Sequence, residues 1–394
     1  MIYLDNSATT RQYDEVTDRM ADIQRNNFGN PSSLHSMGFE AGNVLFDARE
    51  TMRRLLPEDG RIVFNSGGTE SDNTAIFGAC RKMHRRADKI ITTSLEHPAV
   101  LEACKRLQEN GFEVVYLPSD VDGYVEPQAL KAMLDERTAL VTMMTVNNEV
   151  GTIEPVLPCC RIVREFNKEH GTQILFHTDA VQAFGKIDFS DAPFDMISLS
   201  GHKFHGPKGV GALYIRKGLT IPPYIVGGGQ ENGYRSSTEN VPGIAGISLA
   251  AEKSCENLME KQHHIAEVND YLRKAIFNEI PDVMLNGYEE QGMSLEDYGT
   301  RCPSVLNISF LGTRGEVLLH TLEQDGIFVS TGSACASHHT GDSHVLQAMS
   351  LTHKEIEGAI RFSFSEFNTV EEMDFVIDRL KKAVTRFRRL GSFR

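Results

Sequence analysis

A lysine that follows an apolar strand at once, inside a glycine-bounded turn, is well placed to act as an amine nucleophile. SLSGHKFHGPKG at 198–209 puts Lys203 in that position, directly after His202. In an α/β sheet, ligands bind in the crevice beyond the strand ends. A lysine facing that crevice can form a Schiff base with an aldehyde cofactor, although a plain surface loop would also carry a lysine. Other strand ends add to the case. QILFHTDAVQ places Asp179 after an apolar run. A carboxylate there can pair with a protonated pyridine nitrogen and keep the ring an electron sink; a helix N-cap would use the same residue type. Gln182, three residues on, can reach a ring oxygen. RIVFNSGGTESDN sets Gly67, Gly68 and Thr69 between a strand and a helix, where free backbone N–H groups hold a phosphate; ordinary βα turns share that pattern. TTSLEHPAV puts His97 where its ring can stack on a flat cofactor or serve structure alone. TVNNEVG places Asn148 at another strand end, where a turn asparagine would also stand. Their shared position at strand ends argues for a single crevice.

The elements that must position these residues follow from the pattern of apolar runs. RIVF (61–64), KIITTS (89–94), EVVYL (113–117), ALVTMMT (139–145), QILFHT (173–178), MISLS (196–200) and GALYIR (211–216) read as strands. Helix-like stretches at 70–86, 98–110, 127–136 and 156–169 separate them. Such alternation predicts an α/β fold, a mostly parallel sheet covered by helices. Beyond about 255 the pattern changes to a long helix-like segment (255–279), then VLNISFL, EVLLHTLEQ and a final helix near 369–390, which predicts a smaller α+β domain. The expected division is 14–255 for a large domain, with 1–13 and 256–394 forming the small one and the first dozen residues packing near the cleft. A chain of 394 residues fits a large and a small core.

Composition narrows the function classes. The formal charge of −14 argues against direct nucleic-acid binding. No apolar run approaches the ~18 residues of a membrane span, and MIYLDNSATT lacks the features of a secretory signal. Seven cysteines, Cys80, Cys104, Cys159, Cys160, Cys255, Cys302 and Cys335, form no C-x-x-C pair. That reads as reduced thiols in a cytoplasmic setting.

Several of these stretches together resemble the cysteine desulfurases of the NifS/IscS type, in the class V aminotransferase group of pyridoxal-phosphate (PLP) enzymes. They are YLDNSATT (3–10), FGNPSS (28–33), SGGTESDN (66–73), EHPAVL (96–101), VNNEVGTIEP (146–155), HTDAVQ (177–182), SGHKFHGPKGVGALYIR (200–216), GGGQENGYRSSTEN (227–240), STGSACAS (330–337), SHVLQAM (343–349) and IRFSFSEFNT (360–369). The resemblance runs nearly end to end. It implies the PLP fold type I, a homodimer, and conversion of L-cysteine to L-alanine. It implies that Lys203 links to the cofactor, Asp179 pairs the pyridinium, His97 stacks on the ring and Asn148 and Gln182 flank the phenolic oxygen. Gly68, Thr69, Ser200 and His202 hold the phosphate, joined by Thr238 of a neighbouring subunit. The resemblance further implies that Asn30 and Arg361 bind the substrate carboxylate. A guanidinium offers two parallel hydrogen bonds to a carboxylate, and IRFSF is an apolar, strand-like setting for Arg361 rather than a surface one.

Cys335 separates this activity from its relatives. It lies in STGSACASHHTGDSH, rich in Gly, Ser, Thr and His, which predicts a mobile loop at about 330–343. A thiol there can meet substrate and carry sulfur outward as a persulfide. An incidental cysteine, or a metal site with His338, His339 and His344, are the other readings; the spacing fits no standard zinc motif, so no metal is expected. The expected sulfur acceptor is an iron–sulfur scaffold or a tRNA-thiolation enzyme. Alternatives in activity are a selenocysteine lyase or a related class V lyase or aminotransferase. Two features depart from the pattern: Ser237 stands where the family usually has glycine, and the tail RRLGSFR lacks the longer extension of some relatives. The basic run RLKKAVTRFRR at 379–389 could dock an acidic partner or simply suit a helix C-terminus.

Overall fold

A computed structural model describes residues 1–331 and 342–391. In chain order its elements are β1 (Ile2–Tyr3), α1 (Asp14–Asn26), α2 (Ser36–Arg54), β2 (Arg61–Asn65), α3 (Gly68–Met83), β3 (Lys89–Thr93), α4 (Pro98–Glu109), β4 (Glu113–Leu117), α5 (Pro127–Met133), β5 (Thr138–Met144), α6 (Val156–His170), β6 (Leu175–Asp179), β7 (Met196–Ser200) and β8 (Gly211–Ile215). They continue with α7 (Val241–Cys255), α8 (Leu258–Glu279), β9 (Val283–Asn286), β10 (Val305–Phe310), α9 (Gly315–Gln324), β11 (Ile327–Phe328), α10 (His344–Ala348), α11 (His353–Glu357), β12 (Ala359–Ser363) and α12 (Val370–Gly391).

Strands β3, β5, β6 and β7 are buried at every position. Their unbroken apolar runs are what a sheet covered on both faces requires. The sheet runs β2-β8-β7-β6-β5-β3-β4. All neighbours are parallel except β8, which is antiparallel to both β2 and β7. β4, at the edge, is half exposed. Alternate side chains serve opposite layers, as a period of two demands. Phe64, Ile91 and Val141 pack with Val16, Ile23, Leu45, Met52 and Ile247 on one face. Val63, Ile90 and Leu140 pack with Ile76, Cys80, Val100 and Leu107 on the other. The carboxyl ends of β2, β3, β5, β6 and β7 therefore share one edge, and the cleft lies there.

A second core joins the antiparallel sheet β12-β10-β9 to α8, α9 and α12. Ile2 and Leu4 belong to it, because β1 pairs in parallel with β11. The helix expected at about 255–279 is α8, which starts three residues later, at Leu258. α7 ends at Cys255, and Asn257 takes φ 51° before α8 begins. That left-handed turn lets two helices meet at an angle, which asparagine tolerates better than most residues.

Candidate active site

The cleft encloses about 230 Å³ and is lined by Ser7, Ala8, Gly68, Thr69, Asp72, His97, Met144, Val146, Asn148, Asp179, Val181, Gln182, Ser200, His202, Lys203 and Arg361. Lys203 sits in a 3-10 turn over 201–203, straight after β7. Its Nζ donates to Ser7 O at 2.6 Å and Ala8 O at 3.0 Å. The early segment is thus the seat of the lysine head. It is held by Thr10 N–H donating to His202 O and by the bridge of Asp5 to Ser363.

Asp179 is the last residue of β6 and is buried. No helix follows it; its Oδ1 instead accepts from Val181 N–H at 2.8 Å, fixing a tight turn. Burial pushes its carboxyl up to about 6, opposed by that N–H and by Lys203. Asp72, one turn into α3, is wholly buried and has no hydrogen-bond partner for its Oδ1. Burial and the neighbouring Asp179 raise Asp72 well above the carboxylate range. Two close carboxyls cannot both ionise cheaply, and the cation of Lys203 favours charge on Asp179.

His97 caps α4: its Nδ1 accepts from Ala99 N–H at 3.1 Å, which leaves the proton of the neutral ring on Nε2. Burial, then Lys203 and His344, lowers its pKa to about 4. It is both structural and cleft-facing. His202 contacts Thr9 Oγ1 through Nδ1 at 3.1 Å, and burial with Lys203 and Lys208 lowers it to about 4 as well. Gln182 Nε2 donates to Ser7 O at 2.9 Å.

The turn before α3 is built for close approach. Gly67 has φ 150° and ψ −178°, a backbone region essentially closed to other residues. A Cβ on Gly68 would stand 2.8 Å from Val181 Cγ2. Helix α3 begins at Gly68, so its first N–H groups open onto the cleft beside Thr69 and Ser200.

Arg361, on β12, is 2% exposed. Nη1 donates to Asn148 O at 2.9 Å and Nη2 to Asp5 Oδ1 at 3.0 Å, while Nε has no partner. A buried donor left without a partner costs ~1–3 kcal/mol. Asn30 and Thr238 lie outside the lining. Both are exposed, and Asn30 Oδ1 accepts from Ser32 N–H at 2.9 Å. Cys335, His338 and His339 lie outside the described residues. Of the other cysteines none lines the cleft. Burial pushes the thiols of Cys104, Cys160 and Cys255 up to about 12, and those of Cys80 and Cys159 higher.

The contributions of Ser7, Ala8, Asp72 and Asp5 are not singled out by sequence reasoning. Asp72 has a faint signal, since it stands three residues after Thr69 on a helix and so shares its face. The carbonyls of Ser7 and Ala8 have none, because every residue has one.

Residues 2–376 match the family described as Aminotransferase class-V. "Cysteine desulfurase IscS" of Clostridium botulinum is 42% identical over 393 residues, covering 99% of this chain and 96% of that one. A solved structure called "NIFS-LIKE PROTEIN" superposes with TM-score 0.87 at 41% identity, covering 98% of this chain and 99% of the other. Another, "SspA in complex with cysteine", reaches TM-score 0.78 at 32% identity over 94% of this chain and 100% of its own.

Proposed function

The chain belongs to the class V aminotransferase family, and from that premise we propose that it is a PLP-dependent cysteine desulfurase. It converts L-cysteine to L-alanine and passes the sulfur to Cys335 as a persulfide. The observation that carries the reading is the convergence of Lys203, Asp179 and His97 on one cleft whose floor opens onto the start of α3.

The residues present fit the cofactor. Asp179 offers a carboxylate for a pyridinium. Gly67 and Gly68 keep the backbone bare for a phosphate, with Thr69, Ser200 and His202 around it. Asn148, Gln182 and His97 are left for the ring's oxygen and face. When bound, PLP supplies an electron sink for chemistry at the substrate Cα and Cβ. Lys203 anchors the aldehyde and, once released, takes and returns the proton at Cα. Arg361 draws in the substrate carboxylate, with Asn30 assisting. Neutral His97 presents its Nε2–H to the cleft, where it can hydrogen-bond charge that develops near the substrate sulfur. The Cys335 sulfur then bonds to the substrate sulfur, the C–S bond breaks, and alanine leaves, so that L-cysteine and a thiol give alanine and a persulfide with no outside oxidant. Of the described cysteines all but the half-buried Cys255 are buried, and none lines the cleft, which favours Cys335 as acceptor, since only a thiolate attacks.

Residues 14–255 form the cofactor domain, and 1–13 with 256–394 the smaller one. The active species is a homodimer, each subunit lending Thr238 to the other's phosphate site. The exposed apolar side chains Phe28, Leu34, Phe39 and Phe46, on α2 and the stretch before it, support a covered face on each subunit. The persulfide goes on to a sulfur-acceptor protein, an iron–sulfur scaffold or a tRNA-thiolation enzyme, in the cytoplasm. Among the described residues no helix is long and apolar enough to cross a membrane.

The test is incubation of the holoenzyme with L-cysteine, scoring alanine and protein-bound sulfur together. One extra sulfur should map to the peptide of Cys335, and Cys335→Ser should form almost no persulfide or alanine. Sulfur on another peptide, or full turnover by Cys335→Ser, overturns the mechanism.

A further inference from the structure

We propose that Glu149 is a positioning residue for sulfur transfer: through Ser343 it ties the residues that directly follow the Cys335 stretch to the loop that presents Asn148 to the cleft. The inference rests on the reading of Cys335 as the sulfur acceptor. Glu149 is buried, and its Oε2 accepts from Ser343 Oγ at 2.5 Å. The same Oγ accepts from Leu346 N–H at 3.1 Å as the N-cap of α10. One hydroxyl thus donates to the carboxylate and accepts from the helix, which fixes both the start of α10 and its direction. The next residue, His344, places Nε2 at 3.0 Å from Glu96 O. The first residues of this segment are therefore docked on Glu149 and Glu96, the immediate chain neighbours of the cleft residues Asn148 and His97.

On its other side Glu149 is joined to the arginine of the cleft. Glu149 O accepts from Asn307 Nδ2 at 3.0 Å, and Asn307 stands opposite Arg361 in the β10–β12 ladder. Arg361 itself donates to Asn148 O. A single two-residue step, Asn148–Glu149, thus touches both the guanidinium and the foot of α10. Packing alone does not ask for a carboxyl here. Burial pushes Glu149 up to about 7, opposed by Ser343 and Arg361, and a buried acid is a poorer source of stability than an apolar residue of its size.

The test compares holoenzyme variants by two readouts. One is the change in cofactor absorption on adding L-cysteine; the other is the single-turnover rate of persulfide formation on Cys335, by mass spectrometry. Glu149→Gln keeps an acceptor oxygen for Ser343, and Glu149→Ala removes it. Ser343→Gly deletes the hydroxyl but leaves a residue acceptable at an N-cap. Glu149→Gln should transfer sulfur near the parent rate. Glu149→Ala and Ser343→Gly should bind L-cysteine as the parent does, yet transfer about tenfold more slowly or worse, and the double variant should be no slower than Glu149→Ala. Parent-rate transfer in both Glu149→Ala and Ser343→Gly overturns the tether, as does loss of binding and transfer in equal measure. If Glu149→Ala does not fold, Ser343→Gly decides alone. A parent persulfide on another cysteine overturns the acceptor reading and the tether with it, whereas a parent persulfide on Cys335 with full-rate variants overturns the tether only.

Discussion

Replacing Arg361 by methionine should erase the enzyme's preference for a substrate with a carboxylate. The guanidinium is 2% exposed and already gives Nη1 to Asn148 O and Nη2 to Asp5, but Nε–H is unmatched. The guanidinium lines the cleft and offers an arriving carboxylate charge-assisted contacts, each such bond contributing ~1.5–3 kcal/mol. About 3 kcal/mol in favour of L-cysteine over cysteamine, which lacks the carboxylate, corresponds to roughly 150-fold. The assay is titration of the holoenzyme with each compound, followed by the change in visible absorption. The parent should prefer L-cysteine by about 100-fold, and Arg361→Lys, a point charge without the fork, by about tenfold. Arg361→Met should bring the two within about threefold. Removing the guanidinium also strips Asp5 of its cation, although burial already raises that carboxyl. Stability will fall too, which is why the ratio of two ligands is the quantity to read. If Arg361→Met weakens both ligands equally, or retains the preference, Arg361 is structural and the carboxylate sits elsewhere.

Lys203→Ala should fold yet lose the visible absorption of the bound cofactor, and borohydride reduction of the parent should leave a labelled peptide containing Lys203; a label on another lysine refutes the assignment. Gly67→Ala should weaken PLP binding to the cofactor-free protein about 5- to 150-fold, since the φ of 150° strains any other residue by ~1–3 kcal/mol; unchanged affinity would remove this turn from the phosphate site. His177 is wholly buried and burial lowers its pKa to about 3, against roughly 6.5 in the unfolded chain. The unfolded state takes up this proton first as pH falls, so the stability it confers is complete above pH ~6.5 and is lost below it at up to ~1.4 kcal/mol per pH unit. His177→Asn should flatten that acid limb of denaturation midpoint against pH, and an unchanged slope would count against a neutral buried ring.

The central sheet was legible because its strands are covered on both faces and so read as plain apolar runs. Lys203, Asp179, His97 and Asn148 were legible because each stands where such a run stops. The covering helices were harder. α1 carries its apolar stripe on Val16, Met20 and Ile23 alone, amid charged residues. α7 was not among the expected helices, and it carries Pro242, Gly243 and Gly246, residue types more usual in turns. Those glycines are contacts: a Cβ on Gly246 would come within 2.7 Å of Met20 Sδ, and one on Gly243 within 2.5 Å of Val210 Cγ2. Close helix packing thus borrowed the residues that usually signal loops. The pairing of Arg361 with Asp5, and the seat of Lys203 on Ser7 and Ala8, join positions hundreds of residues apart and leave no local trace.

That last arrangement has a consequence for how the protein is made. Residues 2–10 precede the whole parallel sheet in the chain, but Ile2 and Tyr3 pair with Ile327 and Phe328, and Asp5 and Asn6 lean on Ser363. Their partners are translated more than three hundred codons later. Until then the segment that seats the Lys203 ammonium is held from the large-domain side, by Thr10 N–H on His202 O and Gln182 on Ser7 O, and lacks its second anchor. The nascent sheet can form its phosphate turn and its Asp179 during synthesis, but the second anchor of the lysine's seat waits for β11 and β12. Completion of the reactive centre thus waits for β12, which carries Arg361, rather than for the folding of the domain that contains the lysine.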